Sequence, residues 1–159
     1  MREILFRGKS ADDGRWVEGS LMITTIQPAD GAPYKHYHIE NTTIGVFPNE
    51  FMSGVTETVN PETIGQFTGL TDKNGKKIFE GDIIRSNNGK QSCVSVVKFG
   101  EYFPQMFYKM LDMYIPGKRK LQANGFFAVS VDKKEEMILF QSPCVTVIGN
   151  IYDNPELWR

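Results

Sequence analysis

The apolar residues of this chain fall in short runs, many alternating with polar residues and separated by glycine, proline and acidic residues. This is the pattern of β-strands joined by tight turns. Glu3 to Arg7 and Arg15 to Ile23 carry Ile4, Phe6, Trp16, Val17, Leu21 and Ile23 on either side of Ala11-Asp12-Asp13-Gly14. Asp and Gly tolerate the positive φ of a tight turn, so a β-hairpin is expected to open the chain. Gln27 to Tyr34, with two prolines and a glycine, reads as a loop. Aromatic and β-branched residues are rich in His36 to Phe47, and Thr56 to Phe67 reads as a further strand region interrupted at Pro61.

The second half continues in the same style. Lys77 to Phe79 and Asp82 to Arg85 flank Gly81, and strands are expected over Ser92 to Phe99, Phe126 to Val131, Met137 to Phe140 and Val145 to Tyr152. Glu135-Glu136 with Lys133-Lys134 reads as a charged hairpin tip. One segment departs from the pattern: Phe103 to Ile115 places Phe103, Met106, Phe107, Met110, Leu111 and Tyr114 three and four residues apart. That spacing predicts an amphipathic helix, with Pro104 in its first turn and Pro116-Gly117 as its stop. Its apolar surplus suggests a core helix or a contact between copies of the chain. A final helical turn is expected with Asn154 as cap and Pro155 at its first position. The fold class is therefore mainly β: antiparallel small-barrel or sandwich units, an SH3-like barrel being one form, with one inserted helix and a short C-terminal helical turn.

Two stretches echo one another. Asp13 to Met22 reads DGRWVEGSLM and Asn74 to Ile84 reads NGKKIFEGDII, and similar closing runs follow at Ile64-Gly65-Gln66-Phe67 and Ile148-Gly149-Asn150-Ile151. Two related β-units are inferred, residues 1–67 and 68–159, the second enlarged by the helical insertion near 103–115. Within Gly69 to Arg85, Gly75 and Gly81 are expected to permit turns and Asp72 to hold one. Ile78, Phe79, Ile83 and Ile84 are expected to fill the core.

Composition narrows the classes. The chain has 159 residues, 40% hydrophobic and 23% charged, enough to bury a core as one domain or two small ones. Its net charge of −1, from 18 basic and 19 acidic residues, creates no global field toward nucleic acid or anionic membrane. Charges at Arg2, Glu3, Arg7 and Lys9 break any signal-peptide core, and no run approaches the roughly 20 apolar residues of a membrane span. A soluble, cytoplasmic protein is expected. Cys93 and Cys144, far apart and without a CxxC pair, fit reduced thiols better than a disulfide.

Candidate chemistry is sparse. His36, His38 and Glu40, at alternate positions of one strand, would share a face, a spacing that zinc or iron sites can use; a solvated strand face is the plainer reading. No GxSxG and no phosphate-binding loop is present. Glu80 and Asp82 flank a tight glycine and read as turn residues. Lys73, Lys76 and Lys77 beside Phe79, and Lys118, Arg119 and Lys120 between Tyr114 and Phe126, could offer cations and stacking rings to a nucleic acid. No catalytic residue and no cofactor is indicated.

The runs TGLTDKNGKKIFEGDIIR, DGRWVEGSLM, ETIGQFTGL and VIGNIYDNPEL together resemble the YopX family of phage and prophage proteins over nearly the whole chain. Gln27 to Tyr34 and Glu101 to Gln122 are its least family-like portions. The resemblance implies a mainly β protein of bacteriophage or prophage origin and brings no catalytic residue with it. A non-enzymatic accessory or binding module is the favoured reading: a homo-oligomer in the bacterial cytoplasm with a host or phage protein as partner and no membrane association. A small nucleic-acid-binding protein is the alternative, and a metal site on His36, His38 and Glu40 the third.

Overall fold

The computed structural model describes residues 4–41, 55–87, 89, 92–103, 123–132, 135–139 and 143–158. The described residues form two antiparallel sheets and no α-helix. The strands are β1 (Phe6–Lys9), β2 (Trp16–Ile26), β3 (Tyr34–Asn41), β4 (Val55–Thr58), β5 (Gly65–Thr71), β6 (Lys77–Phe79), β7 (Asp82–Asn87), β8 (Ser92–Tyr102), β9 (Ala123–Ser130), β10 (Glu136–Ile138) and β11 (Val145–Asn150). The helix expected over 103–115 lies, apart from the exposed Phe103, outside the described residues.

The chain divides into two compact units, Met1–Phe67 and Thr68–Arg159. The six-stranded sheet has the order β4-β3-β2-β1-β5-β6, and its pairs from β4 to β5 are antiparallel. The expected opening hairpin is present: β1 and β2 pair from Phe6↔Gly19 to Lys9↔Trp16. Its turn closes through Ser10 N–H donating to the Arg15 carbonyl (2.9 Å) and Gly14 N–H to that of Ser10 (3.0 Å), with Gly14 at φ 73°. Asp13 helps by accepting from the Arg15 backbone N–H at 3.1 Å and from its Nε at 3.0 Å. Val17, Ile39 and Val59 are buried together, with Phe6, Leu21, Tyr37 and Ile64 packed against them. A 3-10 turn, Pro61–Thr63, joins β4 to β5, capped by Asn60 Oδ1 accepting from Glu62 N–H at 3.1 Å.

The five-stranded sheet, in the second unit, repeats the first five places of this order with its own strands, β10-β9-β8-β7-β11. In both units four strands form a meander and the fifth returns to pair with the first: Arg7↔Gly65 and Phe6↔Gln66 in one, Ile83↔Gly149 and Asp82↔Asn150 in the other. The closing runs at Ile64 and Ile148 therefore do occupy equivalent strands. The longer echo does not. Glu18-Gly19 lies inside the continuous strand β2, the second of its unit, whereas Glu80-Gly81 is a turn between β6 and β7, with Gly81 at φ 81°. The same dipeptide takes two conformations because Gly19 serves a close strand approach. A Cβ there would run into the Glu40 carbonyl oxygen.

Ile78, Ile84, Val97, Ala128, Val145 and Val147 form the core of the second unit, with Leu70, Met137 and Leu139 against it. The chain ends in the 3-10 turn Pro155–Leu157. Asn154 stands at its N-cap but does not cap it. Its Oδ1 accepts from the Asn150 backbone N–H (3.4 Å) instead, so the side chain serves the end of β11 rather than the turn.

Candidate functional site

The turn between β5 and β6 is built around Asp72, 3% exposed. Its Oδ1 accepts from the backbone N–H groups of Asn74 (2.8 Å) and Lys76 (3.0 Å), and Oδ2 from Val147 N–H (3.1 Å). Burial alone would raise the Asp72 pKa. Those three donors and the Lys76 charge outweigh it and hold the carboxyl below its ordinary value. Gly75, at φ 81°, closes the turn through its N–H to the Asp72 carbonyl (3.0 Å). Lys73 and Lys76 are left exposed on a well-braced corner, with Lys77 half-buried.

Phe79 must be corrected as a binding residue. At 1% exposure its ring is in the interior, alongside Ile78 and Ile83, and no base could stack on it. Asp82, equally buried, accepts from the Phe79 N–H at 2.8 Å and so closes the Glu80-Gly81 turn. Lys118, Arg119 and Lys120 lie outside the described residues. The described part of the expected lysine and aromatic surface thus reduces to Lys73, Lys76 and the aliphatic stem and head of Lys77.

His36 and His38 share a face of β3, as their spacing predicts. Their rings meet edge to face with centroids 4.7 Å apart, and Tyr34 extends the ladder, 6.2 Å from His36. Nδ1 of His38 lies 3.4 Å from Thr58 Oγ1. Among the described residues no group of three or more His, Cys, Asp or Glu is placed to hold a metal ion, so Glu40 does not complete a ligand set with the two histidines. His36 also borders an open cleft of about 380 Å³, shared with Ala11, Tyr37, Thr58 and Asn60.

A further cluster escaped the sequence reading. Arg7, 7% exposed, places its guanidinium 4.8 Å from the Trp16 ring centroid, and Lys9 Nζ lies 5.5 Å from the same ring. Pairing Lys9↔Trp16 across the hairpin brings these groups together. Basic residues two apart on a strand, followed across a short turn by Trp, were the available signal.

The other conspicuous surface is the distal part of the β2–β3 hairpin. Register runs from Ser20↔Glu40 to Ile26↔Tyr34, but β1 accompanies β2 only to Gly19 and β4 accompanies β3 only from His38 to Asn41. Beyond these pairings, the described residues leave β2 and β3 as a two-stranded ribbon. Met22 (41%), Ile23 (51%) and Tyr34 (51%) are its most exposed apolar side chains.

No curated protein matches the chain. Among solved structures it is similar to protein EF1440 from Enterococcus faecalis, at 18% identity and a TM-score of 0.45, covering 100% of both chains. Among protein families, the YopX protein family matches residues 5–159. With the match running over nearly its full length, this chain belongs to the YopX family.

Proposed function

We propose that this YopX-family chain is a non-enzymatic binding module of phage or prophage origin, acting as a homo-oligomer in the bacterial cytoplasm and contacting a host or phage protein. One contrast carries the reading. The buried carboxylate of Asp72 is spent on backbone donors, while Met22, Ile23 and Tyr34 face outward on a ribbon. Catalysis needs poised titratable groups; recognition needs presented apolar and aromatic surface. Each unit is, in this reading, an SH3-like small barrel. Supporting it are the shared meander with a returning fifth strand and, in the first unit, the 3-10 turn before that strand. Such scaffolds host binding sites rather than dictate reactions.

The test is capture from a bacterial lysate by wild type and by a Tyr34→Ala, Met22→Ser variant, each with and without nuclease. A protein retained by wild type after nuclease and lost by the variant supports the module. Capture of nucleic acid alone, abolished by nuclease, would replace it with the nucleic-acid reading.

A further inference from the structure

We propose that Ser20–Ile26 of β2 is a self-association edge, along which two copies of this chain pair antiparallel about a two-fold axis at Ile23. This rests on the homo-oligomer reading above and gives it a surface. Strand β2 has eleven residues, yet its side toward β1 is paired only from Trp16 to Gly19. Over the remaining seven residues β3 occupies one edge, and among the described residues nothing pairs with the other. Ser20, Met22, Ile23, Thr24 and Thr25 are exposed.

Soluble proteins usually guard such an edge with lysine, proline or a bulge, since its open N–H and C=O groups template pairing with another chain. The run SLMITTI has none of these and no charge at all. It does have four β-branched residues, Ile23 to Ile26, suited to a cross-strand partner. Seven residues extend about 24 Å, long enough for a continuous ladder.

Charge selects the occupant. An uncharged strand offers no counter-charge to an acidic or basic peptide, but it meets itself without repulsion. A two-fold pairing is also isologous: Ser20 lies opposite Ile26, Leu21 opposite Thr25, Met22 opposite Thr24, and Ile23 opposite its own copy. The backbone groups along this edge of the run then face an identical strand, and the two ribbons join into one sheet.

The test uses the full chain in light scattering across a concentration series, with Ile23→Lys, Ile23→Glu and an equimolar mixture of the two. Wild type is expected to reach twice the 18.0 kDa chain mass. Each variant should weaken association about tenfold or more, because like charges directly opposite across strands repel. The mixture should regain the dimer, which misfolded variants could not do. A dimer indifferent to both substitutions would overturn the edge while leaving self-association standing. A wild type that stays at 18.0 kDa throughout overturns both, and peptide capture by that monomer would assign the edge to another chain.

Discussion

The Asp72 carboxylate and the Val147 backbone N–H, 75 positions apart, meet at 3.1 Å in the interior of the second unit. The contact ties the β5–β6 turn to β11, reinforced by Lys73 N–H donating to the Val145 carbonyl at 3.0 Å. Asp72→Ala leaves Val147 N–H buried without its acceptor and loosens two turn donors as well. The loss is expected to be about 2–4 kcal/mol in urea unfolding. Asp72→Asn, which keeps one acceptor oxygen, should cost less; equal losses would mean that charge rather than acceptor count matters.

The same residue sets an acid limit. Its folded pKa lies below the ordinary value of 3.8, so the unfolded chain takes up the proton more readily. Asp72 therefore contributes stability above about pH 4, and the contribution fades as pH falls from there through the folded pKa. Melting temperature measured from pH 6 to pH 2 should drop below pH 4 in wild type and more shallowly in Asp72→Asn. Parallel curves would count against this assignment.

At two glycines the same substitution is costly for different reasons and to different extents. At Gly75 the φ is 81° and a Cβ would meet nothing within 4 Å, so Gly75→Ala carries only conformational strain, about 1–2 kcal/mol. At Gly19 the backbone is extended but a Cβ would strike the Glu40 carbonyl and crowd Ile39, which must push β3 away. Gly19→Ala should cost more, about 3 kcal/mol. If the Gly75 variant is the weaker protein in thermal unfolding, the close approach of β2 and β3 is not the constraint described.

Phe79 and the lysines beside it should separate cleanly. Phe79→Ala removes a ring that is 1% exposed and is expected to cost about 3–5 kcal/mol. Lys73→Ala with Lys76→Ala, both exposed, should change stability by no more than about 0.5 kcal/mol each. In a low-salt mobility-shift titration, where phosphate-driven binding is strongest, the wild type is expected to give no shift. A shift lost in the lysine double variant would restore nucleic acid as the ligand.

Local rules made much of this legible. The Asp-Asp-Gly turn, the turn glycines at 75 and 81, the apolar filling by Ile78, Phe79, Ile83 and Ile84, and the half-buried alternation along β2 each depend on neighbouring residues and on strand period. Candidate sites were less legible, because a surface is a property of several strands at once. Phe79 follows three lysines as a stacking ring would, but its strand turns it into the interior. Arg7, Lys9 and Trp16 gained meaning only through the hairpin register that sets Lys9 opposite Trp16.

From the chain alone came the mainly β class, the turns and the YopX kinship, since strand period, positive-φ glycines and ordered motifs are written in consecutive residues. Which strands neighbour one another came from long-range pairing. The order β4-β3-β2-β1-β5 and its recurrence as β10-β9-β8-β7-β11 depend on hydrogen bonds between distant segments. So does the conformation of Glu-Gly, extended at 18–19 and turned at 80–81, because the neighbouring strand, not the dipeptide, decides between the two. The edge of Ser20–Ile26 has the same origin: β1 starts only at Phe6, opposite Gly19, and among the described residues no strand continues along it.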